Sequence, residues 1–324
     1  MRESMRVVFC GTPLFAVPTL KLLLAQPDFD IISVITQPDR PRGRGHEVSF
    51  SPVKQVALAA GLPVHQPEKI RSPEVEQLFT ELSVDVVVII AYGQIIPARL
   101  LPIPKLGWIN LHASLLPKYR GAAPINWAIV NGETKTGATT IRIDAGMDTG
   151  DMLLQREVSI GPKETAPDLA LRLSALGAPL MAETLRGLAS EAIVPRPQNH
   201  AEATLAPMLK KEHGRINWNL PAQEIFNRMR GFAPWPGAYT VFRAQTCHLW
   251  GEPASSEFSH NQLLGPTDVA PGTPFHEKNG LFVVCGGNTV MRMQSVKLEG
   301  RKEVSATEFA NGARLKPGDK FNVT

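Results

Sequence analysis

Residues 84–91 read VDVVVIIA, seven apolar side chains interrupted by one aspartate. A short run this rich in β-branched residues is read as a strand buried on both faces, the environment of a central strand in a parallel sheet. The chain leaves it at Tyr92, Gly93, Gln94 and Ile95. Open α/β sheets bind ligands beyond the carboxyl ends of their strands. The edge at 92–96 and the end of the next strand-like run, 108–112 (WINLH), are therefore expected to line one crevice. Upstream, an apolar strand at 6–10, a turn at 11–13 and a leucine-rich helical stretch give the strand–turn–helix opening of a doubly wound α/β unit. Further strands are expected at 31–36, 62–65, 139–143 and 152–158, and helices at 53–60, 73–82, 124–130 and 165–188. The Gly-x-Gly-x-x-Gly fingerprint is missing, which argues against a nicotinamide dehydrogenase.

A length of 324 residues accommodates two ordinary domains. Residues 190–207 lose periodicity and carry three prolines, so they read as a linker between 1–189 and 208–324. In the second part, 221–231 reads as a helix. Short strands at 241–250, 281–284 and 289–296 then predict a small, mostly β, barrel-like module. The charge follows the same division. Residues 1–207 hold 20 basic and 20 acidic side chains, whereas 208–324 hold 14 and 10, so the net +4 lies in the last third, which permits a polyanionic partner without requiring one. Cys10, Cys247 and Cys285 are far apart and fit reduced buried thiols, with no spacing suited to a metal. There is no signal-type apolar region at the start, and no apolar stretch nears the roughly 20 residues that span a bilayer. The expectation is a soluble cytoplasmic protein with no membrane partner, and nothing suggests an obligate oligomer.

The chemistry concentrates in 107–151. Side chains two apart on a strand share a face, so Asn110 and His112 lie side by side, with Ile109 and Leu111 turned away. An amide donor beside an imidazole suits stabilisation of an oxyanion. Residues 144–151 (DAGMDTGD) supply Asp144, Asp148 and Asp151 between glycines, and one of these could orient the imidazole. Residue chemistry alone leaves the three open. A second feature is the segment 37–46, which carries Arg40, Arg42 and Arg44 with two prolines and two glycines and almost nothing apolar. It reads as an exposed basic finger whose guanidinium forks could grip phosphates.

Taken together, NLHASLLP (110–117), YRGAAP (119–124) and DTGD (148–151) closely resemble the folate-dependent formyltransferases. FCGTP (9–13), TQPDRPRGRG (36–45), SPVK (51–54), AYG (91–93) and FAPWP (232–236) resemble the members of that family that act on charged tRNA, in order along nearly the whole chain. The resemblance implies a Rossmann-like formyltransferase domain followed by a smaller β-barrel domain of the oligonucleotide-binding (OB-like) type. It implies Asn110, His112 and Asp148 as the catalytic trio. It implies Ser114, Leu115, Leu116 and Pro117, with the backbone around Tyr92, Gly93, Gln94 and Ile95, as the folate-binding wall. Arg44, with Arg40 and Arg42, would meet the tRNA. The implied reaction moves a formyl group from 10-formyltetrahydrofolate to the α-amino group of initiator methionyl-tRNA, without a metal. Within the family, the alternative acceptor is a small amine such as a ribonucleotide or amino sugar. Outside it, a nucleic-acid-binding module on a degenerate scaffold remains, which a folate-binding assay separates.

Overall fold

The computed structural model describes residues 4–42, 47–255, 269–277 and 280–322. Its first sheet is built from β1 (Met5–Gly11), β2 (Phe29–Ile35), β5 (Val64–His65), β6 (Val86–Ile90), β7 (Trp108–His112), β8 (Lys135–Arg142) and β9 (Met152–Ser159). A two-residue pair, β3 (Pro41–Arg42) and β4 (Glu47–Val48), stands apart from it. The helices are α1 (Val17–Leu24), α2 (Pro52–Ala59), α3 (Pro73–Glu81), α4 (Pro124–Val130), α5 (Ala166–Ala189), α6 (Ala222–Gly231) and α7 (Ala306–Ala313).

The sheet runs β5-β2-β1-β6-β7-β8-β9, with parallel pairing from β5 to β7 and antiparallel pairing on to β8 and β9. Every residue of β6 is buried, as its composition predicts. Alternation divides the core in two. Val7, Phe9, Val86, Val88, Ile109 and Leu111 pack with α1, α2 and α5, while Val8, Cys10, Val87, Ile89 and Trp108 pack with α3 on the opposite face. Asn110 and His112 therefore share the Trp108 face of β7. Gly177 of α5 has no room for a Cβ, which would meet Leu111 Cδ2 at 2.3 Å.

Contacts group residues 1–124, 135–159 and 168–207 as one unit, and 125–134, 160–167 and 208–324 as another. Residues 190–207 thus cluster with the first unit. The second unit holds an antiparallel sheet curled as a half barrel, over a core that includes Trp218, Phe226, Phe242, Met291, Phe309 and Phe321. Its strands are β10 (Tyr239–Phe242), β11 (Gln245–Pro253), β12 (Pro274–Glu277), β13 (Gly280–Cys285), β14 (Thr289–Leu298), β15 (Val304–Ser305) and β16 (Phe321–Asn322). The order is β12-β13-β14-β11-β10-β16, with β15 on β14.

The strand expected over 241–250 is in fact a hairpin. Its two-residue turn is Arg243 and Ala244, both left-handed (φ 45° and 65°), a conformation usually signalled by glycine or asparagine. Arg243 offsets the strain by donating to both Asp319 oxygens (2.9 and 2.7 Å), which holds that carboxyl below its usual range. Ala244→Gly removes a Cβ from the left-handed site and is expected to stabilise this unit by about 1 kcal/mol, read as a raised denaturant midpoint. Helix α7 also escaped the pattern reading, although Ser305 and Glu308 form a capping box at its start.

All three cysteines are buried and unpaired. Burial pushes the Cys247 and Cys285 thiols up to about 12 and raises Cys10 as well, so none is a ready nucleophile. Among the described residues, no helix is long and apolar enough to cross a membrane.

Candidate active site

Strand β7 places the expected pair by register. Asn110 lies opposite Ile89 of β6 and Ile141 of β8, and His112 opposite Thr139. His112 is only 5% exposed. Its Nε2 lies 2.8 Å from the Tyr119 carbonyl. A carbonyl can only accept, so Nε2 carries the proton in the neutral ring and the lone pair sits on Nδ1. That nitrogen faces Asp148 Oδ2 at 3.6 Å.

Asp148 is the point of convergence. Its Oδ2 accepts from the Gly121 amide (2.8 Å) and its Oδ1 from Asn110 Nδ2 (3.5 Å). Its side chain is 18% exposed. Its backbone is left-handed (φ 55°), a region that Asp tolerates better than most residues. The rival carboxylates are placed otherwise. Asp144 Oδ1 is tied into its own loop by the Gly146 amide (3.0 Å) and the Thr149 hydroxyl (2.6 Å). Asp151 leads into β9, where its carbonyl accepts from the Arg142 amide. Asn110, His112 and Asp148 are thus brought together within one unit. The partners that complete the cluster, the Tyr119 carbonyl and the Gly121 amide, are backbone groups and carry no side-chain signature in the sequence.

The residues expected to face folate divide by environment. Tyr92 points into the α3-side core, and among the described residues its hydroxyl finds no partner. Burial, and then Cys10, push that phenol up. Gln94 is engaged structurally, accepting from the Ile70 amide (2.7 Å) and donating to the Glu68 carbonyl (3.3 Å). The Ser114 hydroxyl is buried and donates to the Lys118 carbonyl, and Leu116 is buried as well. Surface remains at Gly93 (φ 88°), at Ile95, which is 89% exposed, and at half-buried Leu115 and Pro117. A ligand here would therefore meet the backbone of 91–95 and a few apolar groups rather than the phenol. A cleft of about 740 Å³ opens at the ends of β2 and β5, but none of the trio borders it.

At the base of the finger, Lys54 pairs with Asp39 and donates to Gln66 Oε1 (2.6 Å). That ammonium holds the Asp39 carboxyl below its usual range. Gln66 donates to the Gln37 carbonyl (2.9 Å), and Gln37 donates to the Tyr92 carbonyl (3.0 Å), which pins the base to the 92–95 edge. Arg40 is exposed and lies 3.9 Å from Glu68, a pair worth little. Arg42 is described by its backbone alone, pairing with Glu47, and Arg44 lies outside the described residues.

Two family models match the chain. Formyl transferase covers residues 5–185, and the formyl transferase C-terminal domain covers 208–314. The chain belongs to the formyl transferase family. This formyl transferase is 51% identical over 317 residues to methionyl-tRNA formyltransferase of Solibacter usitatus. It is 50% identical over 318 residues to that of Koribacter versatilis. Both alignments take in 98% of each chain. Among solved structures, an N-formyltransferase from Helicobacter canadensis in complex with folinic acid and dTDP-3-aminofucose superposes with a TM-score of 0.64. That match covers 90% of this chain and 99% of the other at 18% identity, a likeness of fold.

Proposed function

We propose that this formyl transferase moves the formyl group of 10-formyltetrahydrofolate to the α-amino group of methionine esterified to initiator tRNA, giving the formylmethionyl-tRNA that starts translation. The observation that carries the reading is the convergence of Asn110, His112 and Asp148 at the carboxyl end of β7. It occurs in a chain half identical, end to end, to proteins named methionyl-tRNA formyltransferase.

The donor supplies an activated formyl carbon. Residues 91–95 and the half-buried Leu115 and Pro117 offer it backbone and apolar surface. They follow β6 and β7, which are adjacent and in register. A free α-amino group titrates near 7.7–8.0 in ordinary peptides, so a neutral fraction is present at about pH 7. Attack by the amine forms the new N–C bond and an oxyanion. Asn110 Nδ2 is the donor for that oxygen, and His112 Nδ1 joins it once it has taken up the amine's proton. The amine gives up a proton to the Nδ1–Asp148 pair or to a water it holds. The same proton goes to the folate nitrogen as its C–N bond breaks and the oxyanion re-forms the carbonyl. Atoms and charge balance without a covalent enzyme intermediate. Residues 1–189 would carry this chemistry, and 208–324 with Arg40, Arg42 and Arg44 would engage the tRNA.

The deciding experiment offers labelled donor with charged initiator tRNA, free methionine and small amino sugars in parallel. Transfer to the charged tRNA alone supports the proposal, and transfer only to a small amine sinks it. Arg44→Ala is expected to raise KM for the tRNA and spare KM for the donor, and to reduce the slope of log affinity against log salt by about 1. Equal loss toward both substrates would assign Arg44 a role in folding instead.

A further inference from the structure

Asp148 holds a left-handed backbone (φ 55°), and a non-glycine residue keeps that conformation only where its surroundings over-determine it. What fixes it comes from residues 196–206, the stretch whose sequence has no periodicity. Gln198 Nε2 donates to the Asp148 carbonyl (2.8 Å) and to the Gly150 carbonyl (2.7 Å). Both amide hydrogens are then used. Gln198 Oε1 accepts from Arg120 Nε (3.0 Å) and Nη2 (2.7 Å), which uses both lone pairs. Gln198 is 5% exposed and Arg120 is 6% exposed. The remaining Arg120 nitrogen, Nη1, lies 3.2 Å from His200 Nδ1. A guanidinium has no acceptor, so Nδ1 of His200 receives that bond. A buried arginine is expensive unless it is paired and hydrogen-bonded, and here the groups that accept from its side chain, Gln198 Oε1 and His200 Nδ1, are uncharged acceptors of the 196–206 stretch. Such an arrangement fixes geometry rather than neutralising a charge.

Arg120 also stands between the two residues whose backbones touch the trio. Tyr119 offers its carbonyl to His112 Nε2, and Gly121 donates its amide to Asp148 Oδ2. The same stretch holds this turn by the main chain. The Arg120 amide donates to the Thr204 carbonyl (2.9 Å), and the Arg120 carbonyl accepts from Ala206 (2.7 Å). The Tyr119 amide donates to the Thr204 hydroxyl (2.9 Å). Gly121 approaches so closely that a Cβ on it would meet the Ala206 carbonyl at 2.8 Å.

We propose that residues 196–206 form a strap whose Gln198–Arg120 fork and Thr204 are positioning residues. The strap locks the turn at 119–121 and the loop at 148–150 to each other, and so sets His112 against Asp148. This rests on the reading that the His112–Asp148 pair carries the chemistry.

The test is a set of steady-state cycles on the full chain with Gln198→Ala, Gln198→Glu and Thr204→Val, each made alone and in an Asp148→Asn background. Gln198→Ala should lower kcat roughly 10- to 100-fold, as losses of supporting hydrogen bonds do elsewhere, with KM for the donor within about threefold. Gln198→Glu keeps an acceptor for Arg120 but loses both donors, and should fall with it. In the Asp148→Asn background the same changes should add less than about twofold, because the group they position is already gone. A full multiplicative loss in that background overturns the proposal, as does an unchanged kcat in a merely less stable protein. Should Gln198→Ala fold poorly, Thr204→Val deletes one acceptor and preserves shape. It should cost kcat about 3- to 10-fold, and the ring nitrogen NMR shifts of His112 should show the Nε2-protonated tautomer giving way to a mixture. Unmoved shifts together with unchanged kcat overturn the strap. All ratios are taken on whichever acceptor the wild type formylates. A failure with charged tRNA therefore removes the proposed substrate and leaves the strap to be judged separately.

Discussion

Alanine at His112 is expected to lower kcat roughly 100- to 10,000-fold, the range that positioned acid–base groups contribute elsewhere. The ring is locked by Nε2 to the Tyr119 carbonyl and turns Nδ1 to Asp148, so a water in its place would inherit neither the orientation nor the proton-accepting nitrogen beside the carboxylate. Asn110→Ala should cost roughly 100- to 1000-fold, the usual loss for one oxyanion donor. Asp148→Asn is no silent isostere. Asp148 accepts from Gly121 with one oxygen and from Asn110 with the other. An amide can offer only one oxygen and must turn its NH2 against one of those donors. Its loss of kcat should therefore approach that of His112→Ala. The measurement is single-turnover formyl transfer with saturating donor, beside a donor-binding titration. A His112→Ala enzyme that binds donor normally and turns over within about fivefold of wild type would remove the imidazole from the mechanism.

How much of this was legible in sequence depends on which groups act. Period-two alternation in β7 put Asn110 and His112 on one face, and the register to β6 bears that out: Ile109 and Leu111 enter one core and Trp108 the other. The choice of Asp148 over Asp144 and Asp151 was not legible from residue chemistry. It turns on which carboxylate the loop points at the ring, and Asp144 is consumed by Gly146 and Thr149. Tyr92 entered the expectation through its backbone, and its phenol lies buried in the α3-side core without a partner among the described residues. Residues 196–206 carried no pattern because they pair by single bridges and one side-chain fork, not by a repeating ladder. The hairpin at 239–253 was hidden for a related reason: its turn residues, Arg243 and Ala244, are not ones that favour left-handed geometry.

Gly150→Ala should be nearly as damaging as losing Asp148 itself, although it adds only one methyl group. A Cβ there would lie 1.8 Å from the Arg142 carbonyl oxygen and 2.9 Å from its carbon. Both are backbone atoms at the end of β8, so no side-chain rotation relieves the clash. Either β8 or the loop must move. The loop is the weaker partner, being held through the Gly150 carbonyl by Gln198 and carrying Asp148 two residues upstream. Overpacking of this kind usually costs about 1–3 kcal/mol of stability. A displacement of about 1 Å at a catalytic group is enough to lose on the order of 100-fold in rate. Gly146→Ala is the control from the same loop. Its Cβ would meet Thr149 Oγ1 at 1.9 Å, which a rotamer change relieves by breaking the Thr149–Asp144 bond, and Thr149 Cβ at 3.0 Å, so kcat should fall less than in Gly150→Ala. Thermal melts and kcat for the two variants decide the matter. If both lost stability alike but Gly150→Ala kept its rate, the tight approach to Arg142 would serve folding, and the placement of Asp148 would have to come from residues 196–206 alone.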